Sequence, residues 1–187
     1  MHKSKIRTAQ VVMVALIAAA GVGVKPLIVP IVRGIALPLG LPAGSIAGGL
    51  YMFWLVLGNM ATGLRWGAAF VGIVQAVLAA LWGTPGPQGL WMFLMYVAPG
   101  VATDLVLWSS RGMAFTLPAW RGATAGAAAN ITGTVLMASL FYRMPAAVVA
   151  VAGATGAVSG AGGGLLAVAI LRRVTKVTGP LDGGQCR

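Results

Sequence analysis

Acidic residues are almost missing from this 187-residue chain: Asp104 and Asp182 stand alone against 13 Lys and Arg, for a net charge of +11. Histidine and cysteine occur once each, as His2 and Cys186. Such a composition supplies no paired carboxylates, no Ser-His-Asp set and no metal-ligand cluster, which leaves catalysis and a metal centre without residues to carry them. One cysteine also excludes an intrachain disulfide, and Cys186 is misplaced for C-terminal prenylation. No GxxxxGK[ST] stretch occurs, so the chain is not expected to hydrolyse ATP by itself, and no cofactor is expected.

Polar surface is scarce too. Only 8% of residues are charged and 59% are hydrophobic, with a mean hydropathy of +0.93. A soluble domain could not cover itself with so few polar groups, so an all-α, polytopic membrane protein is expected. In a soluble protein the excess of Lys and Arg would suggest nucleic acid. Here the basic residues fall between apolar spans, and topology accounts for them.

Six spans are expected, each needing about 20 apolar residues. The first runs from about Thr8 to Val24, and to Val32 if it kinks at Pro26. The second covers Ser45 to Gly63 and the third Trp66 to Trp82, with only Leu64 and Arg65 between them. After the turn GTPGPQG, residues 83–89, the fourth covers Leu90 to Ser110. The fifth runs from Ala119 to Phe141 and the sixth from Pro145 to Leu171. One transmembrane domain over residues 1–176 and a mobile polar tail over 177–187 follow from this division. The basic, apolar start resembles a signal peptide but shows no convincing cleavage site, and is read as a retained first helix.

With both termini in the cytoplasm, Lys3, Lys5, Arg7, Arg65, Arg111, Arg121, Arg172, Arg173 and Lys176 lie inside, and Lys25, Arg33 and Arg143 outside. That bias obeys the positive-inside rule, which a five- or seven-span arrangement would break. The three outer cations make a basic mouth if their loops meet. The alternative is snorkelling to headgroups.

Lys25 and Arg33 belong to KPLIVPIVRGIALPLGLPAGSIAGG, residues 25–49, which holds four of the ten prolines. Proline removes an N–H and disfavours helical angles in the residue before it, so an irregular segment is expected here. Irregular backbone at membrane depth is tolerated where it is buried in protein or lines a cavity. The stretch is therefore a candidate lid, and a kinked helix with a surface loop is the plainer alternative. Tyr51, Gln88, Tyr96 and Arg143 join Lys25 and Arg33 as candidate substrate-binding residues in the outer half. Gln75 and Asn130 lie near mid-membrane, where an unpaired amide costs about 1–3 kcal/mol. They either bond between helices or face a solute. Trp82 and Trp91 fit an interfacial belt. Asp104, on the inner half of the fourth span, is expected to pair with Arg111 or Arg121.

Small residues recur every four positions among the 28 glycines and the alanines. Ala68, Gly72, Ala76 and Ala80 form one line, Gly122, Gly126 and Asn130 a second, and Gly156, Gly160 and Gly164 a third. Close helix packing inside a bundle is expected, since lipid gives no hydrophobic drive for association. SIAGGL, from Ser45, is faintly echoed by SGAGGGL, from Ser159.

Six short spans, a basic start, Ala15 and Ala19 in an Ala-xxx-Ala pattern, and a Pro/Gly-rich first outer connection resemble the S components of energy-coupling factor transporters. The stretch from Gly48 to Asp104, GGLYMFWLVLGN…VQAVLAALWGTPGP…MYVAPGVATDL, is also similar to members of that group. The resemblance implies a membrane-embedded subunit that binds a vitamin or precursor near the outer face. It implies that Ala15 and Ala19 dock a transmembrane coupling protein driven by two ATPase subunits. Met1-His2 matches the start of the nickel and cobalt branch, but the acidic and glycine motif that follows there is missing, so metal uptake is not expected. A basic mouth suits a neutral or anionic solute. A self-contained secondary transporter or channel, homodimeric through glycine stripes, is the alternative from another class.

Overall fold

A computed structural model describes residues 7–36, 38, 43–83, 89, 91–110 and 117–178. Six α-helices follow one another: α1 (Thr8–Ala36), α2 (Ala43–Thr62), α3 (Gly67–Leu81), α4 (Met92–Val106), α5 (Ala119–Leu136) and α6 (Ala146–Thr178). A 3₁₀ turn, Trp108–Ser110, follows α4, and a π-helical turn, Met137–Phe141, ends α5. The protein is an all-α bundle, and four helices (α1, α2, α5 and α6) are long and apolar enough to cross a membrane. The helices α3 and α4 have 15 residues each, about 22 Å at ~1.5 Å per residue. Helices that short fall below the ~20 residues of an ordinary span.

The helices alternate in direction. At one end of the bundle the Gln10 amide donates to the Thr62 carbonyl (2.8 Å), Arg65 stacks 4.0 Å from the Trp108 ring centre, and Arg172 donates to the Leu117 carbonyl (2.7 Å). The basic residues Arg7, Arg65, Arg121 and Arg172 therefore share this end, while Lys25, Arg33 and Arg143 lie toward the other. Helix α2 packs against all five other helices, and its Phe53, Val56 and Met60 anchor the larger apolar core with Leu107, Val168 and Leu171.

Glycine sets how closely α5 and α6 approach. A Cβ at Gly126 would overlap the carbonyl oxygen of Gly160, and one at Gly164 would overlap that of Gly122. The same holds between α2 and α6, where a side chain on Gly163 would run into the Gly49 carbonyl. Here the two echoed stretches meet: Ser159 Oγ accepts from the Gly49 N–H (2.9 Å) and donates to the Ile46 carbonyl (2.5 Å). Contact between backbones replaces the missing hydrophobic drive, as the four-residue spacing predicts.

Three expectations need correction. The proline-rich stretch is not irregular over most of its length, because α1 continues through Pro26 and Pro30 to Ala36. Prolines are tolerated within membrane helices, where neighbouring groups re-satisfy the freed carbonyls. Only residues 37–42 separate α1 from α2, and of these Pro38 alone is described. The sixth helix also runs past the end expected for the sixth span at Leu171, since α6 carries Arg172, Arg173 and Lys176 on to Thr178.

The third correction concerns Arg121 as the partner expected for Asp104; Arg111, the other expected partner, lies outside the described residues. Asp104 is buried and accepts hydrogen bonds from the N–H groups of Ala68 (3.0 Å) and Ala69 (2.8 Å) and from Asn59 Nδ2 (2.6 Å). Those amides open α3, whose preceding residue, Trp66, makes no side-chain cap. A carboxylate from α4 thus caps α3, complementing orphan donors and the positive end of the helix dipole. Arg121 turns instead to the hydroxyls of Ser109 (2.9 Å) and Ser110. Arg111, like His2, Lys3, Lys5, Gln88 and the tail from residue 179, lies outside the described residues.

Candidate binding site

A cavity of about 310 Å³ opens between α1, α2, α3, α4 and α5, at the end of the bundle away from Arg65 and Arg172. Each wall is one face of a helix, because residues three and four apart lie over one another. Helix α1 gives Lys25, Val29 and Arg33, and α4 gives Met92, Met95, Tyr96 and Pro99. Helix α5 gives Asn130, Gly133 and Thr134, and the π turn and its exit add Met137 and Tyr142. Helix α2 contributes Tyr51, Met52 and Leu55, and α3 contributes Gln75 alone.

Six residues singled out in the sequence, Lys25, Arg33, Tyr51, Gln75, Tyr96 and Asn130, line this one cavity. Arg143 is exposed and does not line it. It occupies the turn before α6 with a left-handed φ of 46°, while its neighbour Tyr142 reaches the cavity wall. Gln88 cannot be assigned a place, being outside the described residues. Ala15 and Ala19 lie elsewhere, on the exposed face of α1 beside Val12 and Leu16.

The two cations stand at different depths. Lys25 and Arg33 are eight residues apart on α1, about 12 Å along the axis at ~1.5 Å per residue. Arg33 is exposed and Lys25 half-buried. The Lys25 Nζ lies 3.9 Å from the Tyr96 ring centre and 5.2 Å from that of Tyr51. Both rings present π density to the ammonium, a contact worth about 0.5–2 kcal/mol. Among the described residues no carboxylate faces the cavity. Asp104 is engaged near the opposite end, and Asp182 is the only other acid in the chain.

One turn of α1 deeper than Lys25, Gln75 packs against Gly21, where any side chain would overlap its Nε2. The two mid-membrane amides then part company. Asn130 Nδ2 donates to the carbonyls of Gly156 (2.8 Å) and Ser45 (3.3 Å), tying α5 to α6 and α2. Gln75 is 3% exposed, yet its Nε2 has no hydrogen-bond partner among the described residues. Thr134 Oγ1, in a side chain 4% exposed, also lacks one. Thr134 was not anticipated from the sequence, although it follows Asn130 by four residues and so shares its face. The methionines Met52, Met92, Met95 and Met137 were missed as well. Their unbranched side chains make the apolar walls adaptable.

No family model, no curated protein and no solved structure matches the chain.

Proposed function

We propose that this chain is the substrate-binding membrane subunit of an importer of the energy-coupling factor type. It captures a vitamin-sized solute from outside the cell membrane and passes it on through a transmembrane coupling protein powered by two ATPase subunits. The observation that carries this reading is the cavity at the end of the bundle poor in basic residues. The positive-inside rule turns the opposite, Arg-rich end toward the cytoplasm, so that the cavity faces out. Its volume is at the small end of the ~300–1,000 Å³ typical of ligand pockets. Polar groups at defined depths between apolar walls are what recognition of one small molecule requires. The absence of any phosphate-binding loop from the sequence fits a subunit that borrows its energy from partners. The exposed Ala15 and Ala19 offer α1 a low-profile surface on which another helix can approach closely.

Replacing Ala15 and Ala19 together by Trp tests the docking surface. Solute uptake by cells is expected to stop, while the purified variant retains solute binding and thermal stability. Uptake that persists would reject this role for the two alanines. Reconstitution of the chain alone in liposomes tests the wider reading, because solute flux without partners would identify a self-contained transporter instead.

A further inference from the structure

We infer, building on the capture role proposed above, that the cavity takes a small organic anion whose acidic group binds at Lys25 and whose opposite end is a hydrogen-bonding ring or amide reaching Gln75 and Thr134.

Charge balance points to the anion. Among the described residues Lys25 and Arg33 are the only charged ones lining the cavity, and no carboxylate faces them. A cation held within a membrane helix is costly and acquires a partner or serves a pathway. Tyr51 and Tyr96 meet Lys25 with ring faces, which accept no more than part of an ammonium's three donors. An anionic group entering from the open side supplies the rest. Arg33, two turns farther out and exposed, is placed to attract the same ligand at the entrance.

The inner end is defined by what is left unpaired. A buried donor without a partner costs about 1–3 kcal/mol, and native proteins retain few of them. Among the described residues Gln75 Nε2 and Thr134 Oγ1 are two such atoms in side chains that line one cavity, turned toward Gly21 and Gly156 respectively. Gln75 offers a donor, and Thr134 can donate or accept. Once the side chains rotate toward the cavity, a ring nitrogen, ureido or amide carbonyl satisfies the first, and an adjacent N–H or carbonyl the second. Between the two ends, Leu55 and the methionines present apolar surface. The matching molecule has an acidic head, a short apolar body and a polar heteroatom-bearing end.

The test uses the full chain purified in lipid nanodiscs. A panel of small heterocyclic carboxylates and phosphate monoesters, with their neutral amides and alcohols and the corresponding amines, is screened by thermal shift. Dissociation constants are then measured for the compounds that bind and for Lys25→Met, Lys25→Arg and Gln75→Leu. Stabilising compounds are expected among the anions, carboxylates or phosphates according to which headgroup fits. Lys25→Met should weaken them at least about tenfold, the scale of a charge-assisted hydrogen bond. Lys25→Arg should restore most of the affinity, and the neutral counterparts should bind wild type and Lys25→Met alike. Gln75→Leu should weaken anions that carry the inner acceptor and spare those that lack it. Amines or neutral compounds that bind as tightly as the anions, with no response to Lys25→Met, would overturn the inference and leave the capture role standing. A panel without any binder, together with no small molecule released from the freshly purified protein, would overturn both.

Discussion

The Lys25 ammonium lies 3.9 Å from the centre of the Tyr96 ring, joining α1 to α4 across the cavity. The interaction depends on the ring and not on the hydroxyl, because the quadrupole of the face attracts the cation. Tyr96→Phe should therefore leave solute affinity within about twofold, whereas Tyr96→Leu should lower it about threefold to tenfold. Calorimetry on the two purified variants separates these outcomes. Equal losses would mean that the hydroxyl, not the face, is what the site uses.

Gln75 carries the opposite kind of prediction. Its Nε2 is buried without a partner among the described residues, so the empty protein bears a penalty that a bound solute can remove. Gln75→Leu keeps the approximate size and deletes the polar atoms. The empty protein should gain about 1–3 kcal/mol of stability, while solute affinity falls. Thermal unfolding with and without solute checks both halves. A variant less stable than wild type when empty would show that the amide is satisfied in the membrane after all.

Asp104 should respond in the reverse sense. Its carboxylate accepts from the N–H groups of Ala68 and Ala69 at the start of α3. Asp104→Ala leaves buried donors unsatisfied and should destabilise the bundle by about 2–4 kcal/mol. Because Asp104 and the cavity lie near opposite ends of the bundle, affinity in the variant that still folds should stay within about twofold. Melting temperature and dissociation constant, measured on the same preparation, give the comparison. A large loss of affinity at unchanged stability would place Asp104 in a route for the solute.

These contrasts show what could be read from the sequence. Composition and apolar run length were enough for the helices, because a chain with so little polar surface has few other ways to satisfy its backbone in lipid. Four-residue spacing of glycine and alanine was enough for the α5–α6 contact, since that spacing is itself the contact geometry. The cavity residues were found as polar exceptions in apolar helices, and Thr134 escaped because a threonine in a membrane helix is ordinary. The Pro26–Pro30 region was misread because local rules for proline omit the neighbouring helices that compensate for it. The amides that Asp104 caps were not foreseen, because charge invites a search for opposite charge. The backbone amides that it caps come from α3, 35 and 36 residues away in sequence, and no side-chain pattern announces them.

Glycine provides the sharpest internal control, because α6 contains both a glycine with no room beside it and one with open space. A Cβ on Gly160 would overlap the Gly126 carbonyl, with Asn130 also crowding it, whereas nothing lies within 4 Å of a Cβ on Gly162. The intrinsic preference of a helix for Ala over Gly, roughly 0.5–1 kcal/mol, is the same at both positions. Only the crossing with α5 differs. Gly162→Ala should therefore be neutral or raise the melting temperature slightly. Gly160→Ala must push α5 and α6 apart and strain the amide of Asn130, which bonds the Gly156 carbonyl one turn away. A loss of about 1–3 kcal/mol is expected, the usual cost of forcing an extra methyl into a packed interface. Solute affinity should fall with it, because Asn130 also lines the cavity. Thermal unfolding of the two variants in the same nanodiscs decides the matter. If both alanines were tolerated equally, the backbone contact between α5 and α6 would not be what holds that wall of the cavity in place.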